Sequence, residues 1–399
     1  MENRWIILAI LFTVRTVMGI QFQSVASVSP FLIRDLEIDY TRIGVLIGLY
    51  HLPGVFLAFP GGLLGNRFGD KRVVMSSLVL MAIGGLIMGT SDSYTLSVTG
   101  RLLSGFGGIL LNVLLAKIIA DWFAGKEIIT AMAILVSSWP FGISLGLVSL
   151  GKLATVLSWQ FVMYLTAAIC FISLALVAVL YRTPPSVREN NKTKPPRAKL
   201  SEHEFCLVIL AGLIWMLFNV GFIVLPSFGP DLLTSIGYAV TATGSIVSMV
   251  TWISIFSVQL GGYISEKISH PNIILITCFV GIFLAMLILP YCPYSIALFV
   301  WLGFIFGPPA GIIMALPAEV LHPENRAAGM GVFYTCYYGG MMAMTSLAGY
   351  SRDLTQNAAA PLLFGGMCLI IAIVVLVVFR TIQIRVKLNI LKTEIERGT

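Results

Sequence analysis

Charge is what this 399-residue chain has least of: 11% of its residues are Asp, Glu, Lys or Arg, against about 25% in an ordinary soluble domain. Hydrophobic residues make up 58%. That balance places most of the chain in lipid and excludes soluble-enzyme and nucleic-acid-binding readings. The six cysteines stand singly in apolar stretches, without the spacing of a disulfide framework or a zinc site, and read as packing residues. No Gly-x-x-x-x-Gly-Lys phosphate loop, His-Glu-x-x-His pair or Ser/His/Asp set at depth is present, so ATP-driven and hydrolytic chemistry have no apparatus. No cofactor or metal is expected, and the chain is not read as an enzyme. Acidic residues are missing from the apolar interior altogether: all 18 fall in loops or at the ends of apolar runs.

What is there is a succession of apolar runs long enough to cross a hydrocarbon core of about 30 Å, which takes roughly 20 helical residues. Six lie at 5–30, 41–64, 73–90, 96–120, 128–150 and 157–181, and six more at 205–232, 241–264, 273–289, 294–318, 327–349 and 361–379. The first is too long for a cleaved signal peptide and lacks a small-residue cleavage site, so it reads as a span. The expected architecture is an all-α polytopic membrane protein: a six-helix bundle over 1–181, a linker over 182–204, a second bundle over 205–380 and a tail over 381–399. The linker, rich in Pro and charge, cannot form a span. With the amino terminus inside, eighteen of the 25 Lys and Arg fall on the cytoplasmic side. Four fall outside and three, Arg15, Arg101 and Lys117, within spans. This asymmetry predicts both termini in the cytoplasm, of a bacterial inner membrane.

Sliding the sequence on itself by 200 residues aligns Phe22 with Phe222, Pro30 with Pro230, Thr41 with Thr241, Gly44 with Gly244, and Phe106-Gly107 with Phe306-Gly307. Several pairs are Gly or Pro, whose backbone roles are hard to substitute. Two parallel repeats imply two bundles with a site between them near the bilayer midplane.

The loop after the second span, Gly62-Leu63-Leu64-Gly65-Asn66-Arg67-Phe68-Gly69-Asp70-Lys71-Arg72, resembles the loop signature of the major facilitator superfamily, and Gly262-Tyr263-Ile264-Ser265-Glu266-Lys267 is its degenerate second copy. Arg101 to Gly107 resembles the family's fourth-helix signature, and Pro317-Ala318-Glu319 with Arg326 fits its pattern after helix ten. Gln21 to Ala26 with Gly48 to Gly54 looks like the branch that carries cyanate and related small anions. The resemblance implies secondary transport by alternating access, with Gly62, Asn66, Arg67, Gly69 and Glu266 as gating-loop positions. Asn66 stands where the family's loop carries an acid, which puts a charge-based lock there in doubt.

The buried charges give the chemical reading. Arg15 lies about 15 Å into the first span, and an uncompensated arginine at that depth costs at least about 2.5–3.5 kcal/mol. With no carboxylate nearby, a bound anion is the expected compensation, held by the planar fork of the guanidinium. The bland reading is that Arg15 bonds backbone carbonyls and waters. Arg101 is a second candidate, with a family-implied role in coupling as its alternative. Asn112 continues the Arg101 helix stripe and can extend a polar path inward. His51 is the histidine at depth and a candidate carrier of a coupling proton. Lys117, near a helix end, is read as snorkelling to the interface. The repeat matches Arg15 with Trp215 and Arg101 with Trp301, so one wall carries charge and the other aromatics. Asn219, one turn beyond Trp215, and Tyr338 complete the candidate substrate set. A small, organic, monovalent anion follows as substrate, with protons as a candidate partner and neither ATP nor nucleic acid involved. The rivals are an efflux antiporter for apolar or cationic compounds, and a non-transporting sensor on the same fold.

Overall fold

In the computed structural model the described residues are all but 1–3, 59–60, 124–126, 182–199, 268–269, 293–294, 323–324 and 399. They are almost wholly helical: α1 (Arg4–Ser27), α2 (Ser29–Leu36), α3 (Tyr40–Leu49), α4 (Leu52–Leu57), α5 (Gly61–Phe68), α6 (Asp70–Gly89), α7 (Tyr94–Phe123), α8 (Ile128–Val156), α9 (Trp159–Leu180), α10 (Glu202–Ser235), α11 (Val240–Lys267), α12 (Pro271–Ile288), α13 (Ser295–Ile305), α14 (Gly307–Ala315), α15 (Arg326–Thr355) and α16 (Ala360–Gly398). Single 3-10 turns follow α12 and α14. The expected linker lies largely outside the described residues.

Among the described residues, eleven helical stretches are long and apolar enough to cross a membrane. They match eleven of the twelve expected spans. The exception is α15, which is 30 residues long but rich in Gly, Ser and Tyr and ends in Arg352 and Asp353. Its composition is that of a helix that lines a polar interior and packs closely on neighbours, not one facing lipid throughout.

Two of the expected spans are broken. The second divides at Tyr50 and His51 just before Pro53, which stands in the first turn of α4, where its missing N–H costs nothing. The tenth divides at Phe306 before Pro308 and Pro309. Both breaks border the central cavity. By contrast α8 runs through Pro140 and α10 through Pro226 and Pro230 without interruption. The expected last span continues as helix into the tail, since α16 reaches Gly398.

α1 packs on α8 and α9, and α6 on α7 and α9. In the second half α10 packs on α15 and α16, and α11 on α13 and α14. The most extensive crossings between the halves are α3 with α15 and α11 with α8; α4 also meets α15, and α1 meets α10. The repeat is visible in them. A Cβ on Gly44 of α3 would strike the Thr345 carbonyl of α15, and one on its repeat partner Gly244 of α11 would strike the Leu147 carbonyl of α8. Glycine at these two positions is what lets the backbones of opposite halves touch.

Polar links between the halves gather toward one end. The Asp353 carboxylate accepts from the Tyr40 and Thr41 amides at 3.1 and 2.6 Å and from the Thr41 hydroxyl. Asp231 accepts from the Tyr40 hydroxyl at 2.7 Å and is paired with Arg352 at 2.9 Å. Lys152 donates to Ser245, and Ser144 shares a proton with Thr251. At the opposite, Lys/Arg-rich end the ion pairs among described residues stay within one half: Arg4 with Glu127, Lys117 with Asp70, and Arg380 with Glu319.

Candidate functional site

A cavity of about 420 Å³ opens between the halves. It is bounded by α1, the α3–α4 break, α7 and α8 on one side and by α10, α11, α14 and α15 on the other. The volume falls in the ~300–1,000 Å³ range of small-molecule sites.

Arg15 reaches this cavity from α1. Its Nε donates to Asn112 Oδ1 at 3.0 Å and its Nη1 to the Leu135 carbonyl at 2.7 Å. The guanidinium is therefore held in place by two partners, while its Nη2 forms no hydrogen bond among the described residues. Arg15 is the one Lys, Arg, Asp or Glu among the described lining residues. Both sequence readings of Arg15 are thus partly realised: protein groups take two edges of the fork and the third is left to the cavity.

Asn112 sits on α7 between the halves. Its Oδ1 accepts from Arg15 and its Nδ2 points at the Tyr338 hydroxyl of α15 across a long 3.5 Å. Tyr338 stacks with Tyr334 at 6.2 Å between centroids and leans on Tyr337 at 4.8 Å, and Tyr337 meets Trp215 of α10 at 6.2 Å. One continuous chain of side chains therefore runs from Arg15 to the aromatic wall. Asn219 lies one turn beyond Trp215, where its Nδ2 donates to the Trp215 carbonyl at 2.8 Å and leaves Oδ1 without a donor. Five expected residues, Arg15, Asn112, Trp215, Asn219 and Tyr338, share the one cavity, and His51 joins them.

His51 is 4% exposed, and its imidazole forms no hydrogen bond among the described residues. Its Nδ1 is sealed off, and its ring stands edge-on to Phe22 at 5.2 Å and close to Tyr337 and Tyr338 at 6.1 and 6.2 Å. The helix break at Pro53 is what turns this ring to the site.

Arg101 departs from expectation. It is fully buried and does not line the cavity. Nε donates to the Leu46 carbonyl at 2.9 Å, Nη1 to Gln21 O at 3.1 Å and Nη2 to Phe22 O at 2.7 Å. Its guanidinium carbon also lies 4.7 Å from the Tyr50 ring centre and 5.5 Å from that of Phe22. Carbonyl dipoles and ring faces supply the compensation expected from an anion, so Arg101 ties α1, α3 and α7 together behind the site. Gly105 and Gly108, one and two turns along, leave the room that Tyr50 fills.

Trp301 is corrected outright. It is 54% exposed on the outer face of α13, away from the cavity. The repeat register that matched it with Arg101 is right for the backbone, but the break at Phe306 shortens α13 and nothing inside requires the indole. Lys117 is corrected too. Its ammonium does not snorkel but lies 2.7 Å from the buried Asp70 carboxylate, with Asp121 at 3.6 Å. This pair ties α6 to α7 at the Lys/Arg-rich end, close to where Asn66 left a charge lock in doubt. Of the loop positions, Gly69 has φ +88° as the residue before α6, a left-handed conformation that favours glycine. Arg67 is exposed, beside the Phe68 ring. The Asn66 and Glu266 side chains and the surroundings of Gly62 lie outside what the structure describes.

Sequence reasoning left Trp139, Phe218, Phe222 and Gln259 out of the site, although all four line the cavity. Phe222 was already marked by its repeat pairing with Phe22, and Trp139 by Pro140 after it. Nothing in the sequence singled out Gln259.

Comparison with known proteins agrees with the geometry. The family model of the Major Facilitator Superfamily matches residues 11–345. The chain belongs to this superfamily. The probable galactarate/D-glucarate transporter GarP of Escherichia coli (strain K12) is 27% identical over 210 residues, covering 51% of this chain and 46% of GarP. AraJ from the same strain is 27% identical over 343 residues, covering 79% of this chain and 82% of AraJ. Among solved structures, a D-xylose–proton symporter superposes with a TM-score of 0.74 at 14% identity, over 94% of this chain and 97% of the other. That likeness shows the two-domain fold. The chain spans about half the length of GarP, and by family and by its apolar helices it is an integral membrane protein of this superfamily.

Proposed function

We propose that the protein is a secondary transporter of small, monovalent organic anions, with both termini in the cytoplasm of a bacterial inner membrane and Arg15 as the anion's anchor. The observation that carries this reading is the charge of the cavity. One guanidinium lines it, two of its donors are spent on fixing its position, and no Asp or Glu stands on the described walls. A cation would meet repulsion there, and a dicarboxylate would bring one charge more than the site offsets. GarP is named for galactarate and D-glucarate, which are dicarboxylates; it supports an anionic class, while the single charge of the substrate proposed here rests on the one guanidinium in the cavity. The candidate domains at 1–181 and 205–380 move as the two halves of an alternating-access cycle. The outer end, latched by Asp353 and Asp231, is closed, and the cavity faces the cytoplasm.

His51 carries the coupling proton in this reading. A positive charge on His51, with Arg101 behind the Phe22 and Tyr50 rings and tyrosines 337 and 338 in front, is costly until an anion enters. Proton and anion then bind together or not at all, which is symport. The aromatic walls favour one other reading, export of neutral apolar compounds.

A thermal-shift screen of the purified protein against monocarboxylates, dicarboxylates and organic cations separates these. A true ligand at a hundredfold its Kd stabilises by about 2.7 kcal/mol. Stabilisation by monocarboxylates that vanishes in Arg15→Gln is expected. Stabilisation by cations or neutral aromatics that survives Arg15→Gln refutes the anion reading.

A further inference from the structure

The anion reading leaves open what the rest of the substrate looks like, and the wall opposite Arg15 is informative. It is built from flat rings: Trp215 and Phe218 stack at 5.7 Å with 28° between planes, and Tyr337 leans on Trp215 at 6.2 Å. From the other half Trp139 lines the same space. An aliphatic acid would need methylene-shaped gaps, whereas broad ring faces fit a planar body.

The Tyr334 and Tyr337 hydroxyls and the Gln259 amide on that wall form no hydrogen bond among the described residues, and neither does one acceptor whose orientation is fixed. Asn219 Nδ2 is tied to the Trp215 carbonyl, which fixes the amide and leaves Oδ1, a pure acceptor, without a donor among the described residues. The 200-residue register puts position 215 at the depth of Arg15, so Asn219 stands about one turn, roughly 6 Å, deeper than the anchor. The Gln23 amide, bonded at 3.0 Å to the Pro226 carbonyl, joins the two halves about two turns beyond Asn219 by the same rise. An anchored carboxylate, ring faces beside it and a fixed acceptor one turn deeper describe a single molecule.

We propose that the substrate is an aromatic monocarboxylate bearing a hydroxyl on the far side of its ring: the carboxylate on Arg15, the ring against Trp215 and Tyr337, and the hydroxyl donating to Asn219 Oδ1. This rests on the anion reading above and narrows it. Asn219 is then the residue that selects among aromatic acids, because its half-buried Oδ1, once a bound ring excludes water from it, penalises ligands that bring no donor. The tie between Asn219 and the Trp215 carbonyl makes the selection rigid, since the amide cannot turn to offer its N–H groups instead.

The test uses isothermal titration of the full-length protein in detergent with four probes: 4-hydroxybenzoate, benzoate, cyclohexanecarboxylate and acetate. Benzoate is expected to bind about tenfold tighter than cyclohexanecarboxylate, and 4-hydroxybenzoate about tenfold tighter again. In Asn219→Leu the ratio of 4-hydroxybenzoate to benzoate affinity falls to near one, while Asn219→Ser, which keeps an oxygen acceptor, retains part of it. Equal binding of cyclohexanecarboxylate and benzoate overturns the aromatic class and leaves the anion reading standing. A hydroxyl preference that persists in Asn219→Leu overturns the role of Asn219. Binding of no carboxylate at all removes the anion reading, and this proposal with it. The wild-type comparisons decide the ring class even if Asn219→Leu fails to fold.

Discussion

Three basic side chains at membrane depth have three different fates, and their partners say why. Arg101 spends every nitrogen on backbone carbonyls. Arg101→Gln strands at least one buried carbonyl at about 1–3 kcal/mol each, so the melting temperature in detergent falls whether or not ligand is present. Arg15→Gln has the opposite signature, with a small change in the unliganded melting curve and loss of anion binding by at least about tenfold, since hydrogen bonds to charged groups are worth ~1.5–3 kcal/mol. Lys117 neutralises a buried carboxylate. Lys117→Met leaves Asp70 uncompensated and costs about 3–5 kcal/mol, whereas the double variant Lys117→Met/Asp70→Asn recovers most of it. A double variant no more stable than Lys117→Met would show that the pair is not what holds α6 to α7. From residue type and depth alone the three were distinguishable only in part. Arg15 was legible because it sits mid-span, but the donors that Arg101 spends on Gln21, Phe22 and Leu46 come from helices far apart in the chain, and spacing cannot reveal them.

At the scale of helices the molecule is governed by where prolines and glycines fall. Pro230 has no N–H to offer the Pro226 carbonyl, and the Gln23 amide from α1 takes that carbonyl instead at 3.0 Å. Its repeat partner Pro30 leaves the Ala26 carbonyl in the same position, and there the Ser29 hydroxyl serves at 3.0 Å. One gap is thus closed locally and the other across the two halves, by Gln23. Gly44 and Gly244 do the corresponding work for packing. Gln23→Leu and Gly44→Ala both loosen the closed end. A cysteine placed at Met18, on the cavity wall, becomes alkylated faster from the outside in either variant, and unchanged labelling would show that these contacts do not hold that end shut. The repeat in the sequence pointed to these glycines and prolines directly. It could not say that α3 would break at Tyr50 or α13 at Ile305, because proline alone does not decide a break: α8 and α10 run through theirs, while α13 ends before Pro308 although Ser257 takes the Phe304 carbonyl.

For the whole molecule, composition alone indicated a polytopic membrane protein, and the loop and fourth-helix motifs indicated the superfamily to which it belongs. Hydropathy was least informative where function is densest. α15, which supplies three of the cavity's four tyrosines, is the expected span whose apolar character falls short. The asymmetry of latching, with inter-half links at one end and intra-half ion pairs at the other, is a property of the fold in this one conformation and had no sequence signal. The central claim is that this architecture moves an anion held by Arg15 together with a proton. Uptake of radiolabelled benzoate into liposomes containing only the purified protein, with and without an inward proton gradient, addresses it directly. The expected result is saturable uptake, stimulated by the gradient, reduced at least about tenfold in Arg15→Gln and uncoupled from the gradient in His51→Gln. Uptake by Arg15→Gln at the wild-type rate, or no saturable flux of any monocarboxylate while cations or neutral compounds are moved, would contradict it.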